Sequence, residues 1–292
     1  MDLSVALIRT TLNATAALSP LLAGRAAFAV FRRPVRRSRL RPEERELHAA
    51  AAVERIEVHG TAVTTYRWGD GARPVLLLHG WRSRASRYAA LIPRLRVLGL
   101  TVVTFDAPGH GESAGRTVTV LDYREAIRQL HDRHGPFEAV VAHSLAVPAA
   151  VLALRDTAKA ERLVAIAGPG DFDLFPRAFS AGLGLGGWAV PELRRRITAM
   201  LPPGLEYPGL SPVHRPEELA LPVLLVHDED DRVIPYDQSG PLHAAYEPYG
   251  ARLLTTRGLG HNRVLTEPAV LDNVLGFLSE PLPAEPLPTP TP

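Results

Sequence analysis

A serine, an aspartate and a histidine follow three short apolar runs of this 292-residue chain, in that order. Ser144 comes directly after one run, Asp231 comes shortly after another, and His261 lies in a glycine-rich segment after a third. A histidine that accepts the serine proton makes the hydroxyl a nucleophile, and a carboxylate orients the histidine and stabilises its charged form. These residue types in this order are typical of acyl transfer through a covalent serine intermediate.

Ser144 stands between an apolar run at 137–143 and an alanine-rich segment at 145–158. A serine on a sharp turn from strand to helix projects its hydroxyl over the edge of a sheet, where the helix N-terminus offers free N–H groups. The usual pattern at such a turn is Gly-x-Ser-x-Gly, and here Ala142 and Ala146 replace both glycines. A serine before a helix is also a common N-cap, so this motif alone leaves a structural role open.

An earlier apolar run ends in His79-Gly80-Trp81. We expect the backbone N–H of Trp81 and that of Leu145, which follows the serine, to form an oxyanion hole. Each such donor contributes roughly 10²–10³-fold in rate. His79 and His110 lie in loops that flank this position, and we expect them to support the Trp81 loop rather than to react.

Together these motifs resemble the α/β-hydrolase superfamily, specifically small bacterial serine hydrolases with a His-Gly-Trp loop and an Asp-x-Pro-Gly-His-Gly-x-Ser loop. The resemblance covers about residues 53–280. It implies an α/β fold with a mostly parallel eight-stranded sheet, helices on both faces and a helical cap, here at about 170–220. It also implies Ser144 as the nucleophile, His261 as the general base, and the amides of Trp81 and Leu145 as the oxyanion hole.

In that family the acid of the triad follows a His-Gly-x-x-Asp-x-x-x-Pro pattern. Counting from His227 to Pro235 assigns the acid to Asp231, with Asp230 as the main alternative. Asp228 stands where the family usually has glycine.

The elements that position these motifs are short apolar runs that alternate with helix-length segments. The first two predicted strands, 54–58 and 62–68, have an alternating pattern and are predicted to pair antiparallel with Gly60 at the turn. Six short apolar runs are also predicted as strands: 75–79, 101–105, 139–143, 163–167, 223–227 and 252–255. Helices are predicted at 85–98, 118–134, 145–158 and 237–249. This alternation favours a mostly parallel sheet covered on both faces, and ligands bind at the carboxyl edge of such sheets. We interpret 170–220 as a cap over that edge, with a helix around 191–201.

Residues 1–52 lie before the resemblance and are interpreted as a helical, basic extension. Residues 1–45 hold nine arginines and three acidic residues, a net charge of +6; since the whole chain carries +2, the rest carries −4. The longest uncharged run, 10–24, is shorter than the roughly 20 residues that a membrane span needs. The alternatives are packing on the chain's own domain, peripheral attachment to an anionic membrane surface, and an export signal. The proline-rich tail, 281–292, is predicted to be disordered.

The composition excludes several other kinds of site. The chain has no cysteine, which excludes disulfides, thiolate zinc sites, iron–sulfur clusters and a cysteine nucleophile. The eleven histidines show no metal-binding spacing, so no metal is expected. Residues 182–187 are rich in glycine, but no strand leads into them, so we expect a flexible cap segment and no cofactor. Residues 194–196, three arginines, are interpreted as a solvated helix face, with attraction of an anionic substrate as the alternative.

The sequence therefore predicts a cytoplasmic or peripherally membrane-bound carboxylic-ester hydrolase that acts on a small-molecule acyl ester. The acidic body gives no reason to expect nucleic-acid binding. A thioesterase, an acyltransferase or a carbon–carbon bond hydrolase would use the same three residues. A catalytically silent binding protein with this fold is a further alternative, because fold does not fix function.

Overall fold

The computed structural model describes residues 3–219 and 221–282, and its strands form one eight-stranded sheet. The strands are β1 Ala52–Val58, β2 Thr61–Trp68, β3 Pro74–Leu78, β4 Thr101–Phe105, β5 Ala139–His143, β6 Leu163–Ile166, β7 Val223–Asp228 and β8 Arg252–Thr256. Their spatial order is β1-β2-β4-β3-β5-β6-β7-β8. The six strands from β4 to β8 in this order run parallel, whereas β1 pairs antiparallel with β2, and β2 antiparallel with β4. The predicted α/β-hydrolase fold is confirmed.

Helices cover both faces of the sheet and one of its edges. They are α1 Leu3–Leu18, α2 Pro20–Phe31, α3 Arg45–Ala49, α4 Ile92–Val97, α5 Val120–His134, α6 Ala146–Asp156, α7 Leu174–Leu183, α8 Ala189–Thr198, α9 Ser239–Tyr246, α10 Gly260–Arg263 and α11 Pro268–Ser279. Short 3₁₀ turns connect several of them.

The first two strands form the hairpin that their alternating pattern predicts. The turn residues His59 and Gly60 have φ angles of +46° and +75°. Two left-handed residues in a two-residue turn match the right-handed twist of the flanking strands.

The predicted helix over 85–98 is wrong in its first half. Residues Ala85–Tyr88 form a 3₁₀ turn, and α4 begins only at Ile92. Pro93 is the reason, because a proline inside a continuous helix removes one backbone hydrogen bond and clashes with the preceding turn, while near a helix start it does neither. The predicted helix over 237–249 is likewise shortened to α9, with a 3₁₀ turn at each end.

Two apolar layers hold the helices on the sheet. Every residue of β3 and β5 is buried, and successive side chains of a strand point to opposite faces. Leu76 and Val140 therefore pack in one cluster with side chains of α5 and α6. Leu77 and Val141 pack in the other cluster with side chains of α4 and α11.

The N-terminal helices pack on the cap of their own chain. Helix α2 lies along α8, and α1 contacts α7. The helices approach closely at Gly24, where a Cβ would lie 2.8 Å from the Cβ of Glu192. The Asn13 side chain accepts a hydrogen bond from the Gly186 amide at 3.0 Å and donates one to the Gly184 carbonyl at 3.1 Å. The glycine-rich cap segment is thus tied to α1.

No helix within 3–219 or 221–282 combines the length and the apolar character that crossing a membrane requires. Peripheral attachment through the basic N-terminal segment stays a prediction. The predicted disordered tail lies outside the described residues except for its first two, Pro281 and Leu282.

Candidate active site

Ser144 stands at the sharp turn between β5 and α6. Its φ angle is +57°, a left-handed conformation that is uncommon for a residue with a side chain. The Ser144 amide donates to the Ile166 carbonyl at 2.9 Å, which fixes the turn against the neighbouring strand. Ala142 and Ala146, which replace the usual glycines, are completely buried, so the turn accommodates a methyl group on either side.

The structure brings together the three side chains that the sequence singled out. The Ser144 Oγ lies 3.0 Å from the His261 Nε2. The His261 Nδ1 lies 2.7 Å from the Asp231 Oδ2. Because the ionised carboxylate only accepts, the Nδ1–H donates to it, and the Nε2 is left to accept the serine hydroxyl proton.

The Asp231 carboxylate is buried and saturated with donors. Its Oδ1 accepts from the amides of Val233 at 2.8 Å and Ile234 at 3.0 Å. Burial raises the pKa of this carboxyl, but the donors His227 and His261 outweigh burial, and the pKa of Asp231 lies well below its usual range. The group is therefore a carboxylate at neutral pH.

The neighbouring aspartates contact the loop before His261 instead of its ring. Asp230 accepts from the Gly258 amide at 2.9 Å. Asp228 accepts from the amides of Leu259 at 3.0 Å and Gly260 at 2.8 Å. The geometry therefore favours Asp231 over Asp230 as the partner of the histidine.

Trp81 and Leu145 line the same cavity as Ser144. Among the described residues, neither backbone N–H of these two donates a hydrogen bond. Both are therefore free to donate to a bound oxygen near Ser144.

His79 and His110 hold the Trp81 loop through backbone groups. The His110 Nε2 accepts from the Arg82 amide at 3.0 Å. The His79 Nε2 accepts from the Ala107 amide at 3.0 Å, and its Nδ1 donates to the Gly80 carbonyl at 2.8 Å. Burial lowers the pKa of both imidazoles, for His110 to about 3. Each ring is therefore neutral and able to accept.

His143, directly before the serine, contacts the histidine loop. Its Nε2 donates to the His261 carbonyl at 2.9 Å, and the two ring centroids are 4.6 Å apart. Burial, reinforced by the neighbouring His261, lowers the pKa of His143 to about 3. His143 is therefore neutral and adds no positive charge next to His261.

A model of the alpha/beta hydrolase family matches residues 75–273, more than half of the chain. The chain belongs to this family. Family membership supports a hydrolase, and the match begins at β3, so it leaves out α1 to α3, β1 and β2.

Solved structures of other proteins share the fold of this family member. An esterase from Pyrococcus furiosus is 18% identical with a TM-score of 0.61, over 83% of this chain and 95% of that one. A bromoperoxidase from Bacillus anthracis is 16% identical with a TM-score of 0.60, over 78% and 99%. A thioesterase domain from the curacin biosynthetic pathway is 16% identical with a TM-score of 0.58, over 78% and 99%. At these identities the likeness shows the fold alone.

A cavity of about 780 Å³ reaches Ser144 in this hydrolase-family chain. Its lining comes from loops at the carboxyl edge of the sheet, from the cap helices α7 and α8, and from α1 and α2. The N-terminal helices contribute Ile8, Phe28 and Phe31. Sequence reasoning assigned no part of the site to these helices, because no motif in residues 1–52 marks them.

Asp228 is the other residue whose contribution sequence reasoning missed. Its carboxylate also accepts from the Thr256 hydroxyl at 2.8 Å. Burial raises the pKa of this carboxyl, but the hydrogen bonds from Gly260, Thr256 and Leu259 outweigh burial and keep the pKa below its usual range. The signal in the sequence was an acid in place of the family's glycine, next to the triad acid.

The described residues contain no cluster of three or more histidines and carboxylates that could hold a metal ion. The arginines of 194–196 are engaged elsewhere. Arg194 pairs with the buried Asp173, and Arg195 pairs with Glu192 at 2.8 Å. Attraction of an anionic substrate by these arginines stays a prediction.

Proposed function

We propose that this protein is a serine hydrolase that cleaves carboxylic esters through an acyl-enzyme. The relay from Ser144 through His261 to Asp231, with distances of 3.0 and 2.7 Å, is the observation that carries the proposal. The strained backbone of Ser144 supports it, because strain of this kind persists at functional sites where the surrounding structure enforces it.

In the first step the Ser144 Oγ attacks the ester carbonyl while the His261 Nε2 removes its proton. The tetrahedral oxyanion accepts hydrogen bonds from the amides of Trp81 and Leu145. The imidazolium, stabilised by Asp231, then protonates the departing alcohol oxygen. The carbonyl re-forms, and the acyl group stays on Ser144.

In the second step water repeats the cycle. His261 removes a proton from the water molecule, the hydroxide attacks the acyl carbonyl, and a second tetrahedral intermediate forms. Its collapse releases the carboxylic acid and returns the proton to the Ser144 Oγ. The two steps together consume one ester and one water and yield one acid and one alcohol. A thioester would react through the same acyl-enzyme.

The proposal is tested by hydrolysis of p-nitrophenyl esters from acetate to decanoate. Ser144→Ala is expected to lower kcat/KM on every ester by roughly 10³-fold or more, because it removes the atom that forms the acyl-enzyme. Ser279→Ala, at an exposed serine at the end of α11, is the matched control and should be unchanged. Equal rates for wild type and Ser144→Ala would refute the assignment of Ser144 as the nucleophile.

A further inference from the structure

The cavity at Ser144 is apolar over most of its wall. Aromatic and aliphatic side chains line it from both sides, among them Phe28 and Phe31 of α2 and Phe175, Phe179 and Leu183 of α7. Its volume of about 780 Å³ lies in the range of pockets that enclose a drug-sized organic ligand. Such a space favours burial of a long hydrocarbon chain.

Four arginines line the same cavity: Arg32, Arg33, Arg36 and Arg82. Among the described lining residues there is no aspartate or glutamate. None of the four pairs with a carboxylate in the described part of the chain. We call these four residues the arginine cluster.

Several arginines outside the cavity lining have structural partners. Arg37 donates to four backbone carbonyls of the loop after β4, including that of Gly111 at 2.9 Å. Arg84 and Arg87 pair with glutamates.

Arg32 lies over the Phe28 ring, with its Cζ 5.4 Å from the ring centroid. Its buried Nε has no hydrogen-bond partner among the described residues, as is also the case for the Nε atoms of Arg84, Arg155 and Arg196. The arginine cluster is therefore set apart by its position in the cavity wall, where no carboxylate neutralises its charge.

The exposure of the four arginines indicates which end of the ligand faces solvent. Arg33, Arg36 and Arg82 are exposed, and Arg32 is half-buried. An anionic group held there lies toward solvent, and an apolar chain lies among the phenylalanines inside. The leaving alcohol departs first, while the acyl chain stays bound to Ser144 until water attacks. Since the alcohol leaves toward solvent, where the arginines are exposed, we assign the anionic group of the ligand to the leaving alcohol.

We propose that the substrate is an amphipathic ester with a long apolar acyl chain and an anionic leaving group, the chain in the cavity and the anion on the arginine cluster. This inference rests on the proposed serine hydrolase function. It also accounts for part of the positive charge of residues 1–45, since Arg32, Arg33 and Arg36 belong to that segment.

Two pairs of chromogenic esters test both halves of the inference. 3-Nitro-4-(octanoyloxy)benzoate and 2-nitrophenyl octanoate differ by one carboxylate, and the corresponding acetates lack the long chain. We expect kcat/KM for the anionic octanoate to exceed that for the neutral octanoate by about tenfold, because several exposed ion pairs each add a small gain. Salt at about 0.5 M should reduce this ratio, since it screens exposed charges.

Substitutions in the cavity wall show which residues cause these preferences between esters. Arg33→Gln combined with Arg36→Gln should lower the ratio of anionic to neutral ester several-fold. Arg25→Gln, at an exposed arginine of α2 outside the cavity lining, is the matched control and should keep the ratio. Leu183→Trp should lower the ratio of octanoate to acetate, because the indole occupies space that the chain needs.

Equal kcat/KM for the anionic and neutral octanoates, or a preference that survives Arg33→Gln with Arg36→Gln, would overturn the inference about the anion. An acetate hydrolysed as well as the octanoate would overturn the inference about the chain. In both cases hydrolysis that depends on Ser144 leaves the proposed function standing. Hydrolysis that persists in Ser144→Ala overturns the proposed function and this inference with it.

Discussion

The Asp228 carboxylate accepts a hydrogen bond at 2.8 Å from the amide of Gly260, the residue directly before His261. A second bond from the Leu259 amide at 3.0 Å fixes the preceding peptide. Asp228 ends β7 and Asp231 lies in the loop after it. The strand end therefore sets the positions of both the histidine and the carboxylate that contacts it.

Replacement of Asp228 by asparagine should lower kcat with little change in KM. The amide NH₂ group cannot accept the hydrogen bonds that one carboxylate oxygen accepts, so the peptides before His261 shift. A displacement of about 1 Å at a reacting group costs up to about 10²-fold in rate, and we expect a loss of about tenfold or more. Steady-state kinetics on p-nitrophenyl butyrate measures it.

Glu229→Gln is the control for that variant. Glu229 lies in the same loop and pairs only with the exposed Arg257. A loss of kcat as large in Glu229→Gln as in Asp228→Asn would show that any charge change in this loop disturbs the reaction, and it would remove the specific role of Asp228.

The two candidate acids can be ranked by one comparison. Asp231→Asn should reduce kcat by roughly 10³–10⁴-fold, because the histidine loses the partner that sets its tautomer and stabilises its positive charge. Asp230→Asn should stay within about tenfold of wild type, since it disturbs only a backbone contact. The opposite ranking would transfer the role of the acid to Asp230.

A glycine is required at position 80 because the backbone there lies close to Ser144. A Cβ at this position would lie 2.8 Å from the Cβ of Ser144, closer than side chains tolerate, so Gly80→Ala displaces the serine. We expect a loss of roughly 10²-fold in kcat/KM from this displacement. Gly276→Ala, where an added Cβ meets nothing within 4 Å, should retain full activity. Full activity in Gly80→Ala would contradict the close approach.

Stability should fall as the solution becomes acidic, starting near pH 6.5. Burial lowers the pKa of His110 and His143 to about 3, whereas unfolded histidines titrate near about 6.5. Between these values only the unfolded chain binds these two protons, and the lowered pKa of the buried His79 acts in the same direction. The free energy of unfolding should therefore decrease by up to about 1.4 kcal/mol per pH unit for each histidine. The lowered pKa of Asp231 adds a further loss only below about pH 4.

Urea unfolding at several pH values between about 7.5 and 5 measures this slope. His110→Gln should reduce the slope, because it removes one of the buried histidines whose pKa is lowered. His243→Gln, on α9 and outside the site, should leave it unchanged. Equal slopes in wild type and His110→Gln would show that His110 does not contribute.

The sequence was sufficient to predict the sheet and the proximity of Ser144, Asp231 and His261. The central strands are short apolar runs and the first two strands alternate, and these local patterns need no knowledge of distant contacts. Ser144, Asp231 and His261 follow the ends of β5, β7 and β8. Since parallel strands end at one edge of a sheet, their proximity follows from the order of elements.

The contribution of the N-terminal helices could not be predicted in this way. Phe31 meets Phe179 edge to face at 5.3 Å between ring centroids, a contact between segments far apart in the sequence. Apolar helices at 3–31 indicate burial somewhere, but their pattern does not say against which element. The packing on α7 and α8 decides that these helices line the cavity.

Covalent labelling tests the central claim most directly. The purified protein is incubated with a fluorophosphonate, digested, and mapped by tandem mass spectrometry. The account predicts one phosphonylated residue, Ser144, with labelling abolished in Ser144→Ala and strongly slowed in His261→Ala, because the histidine activates the hydroxyl. A label on any other serine, or no label on an intact folded protein, would contradict it.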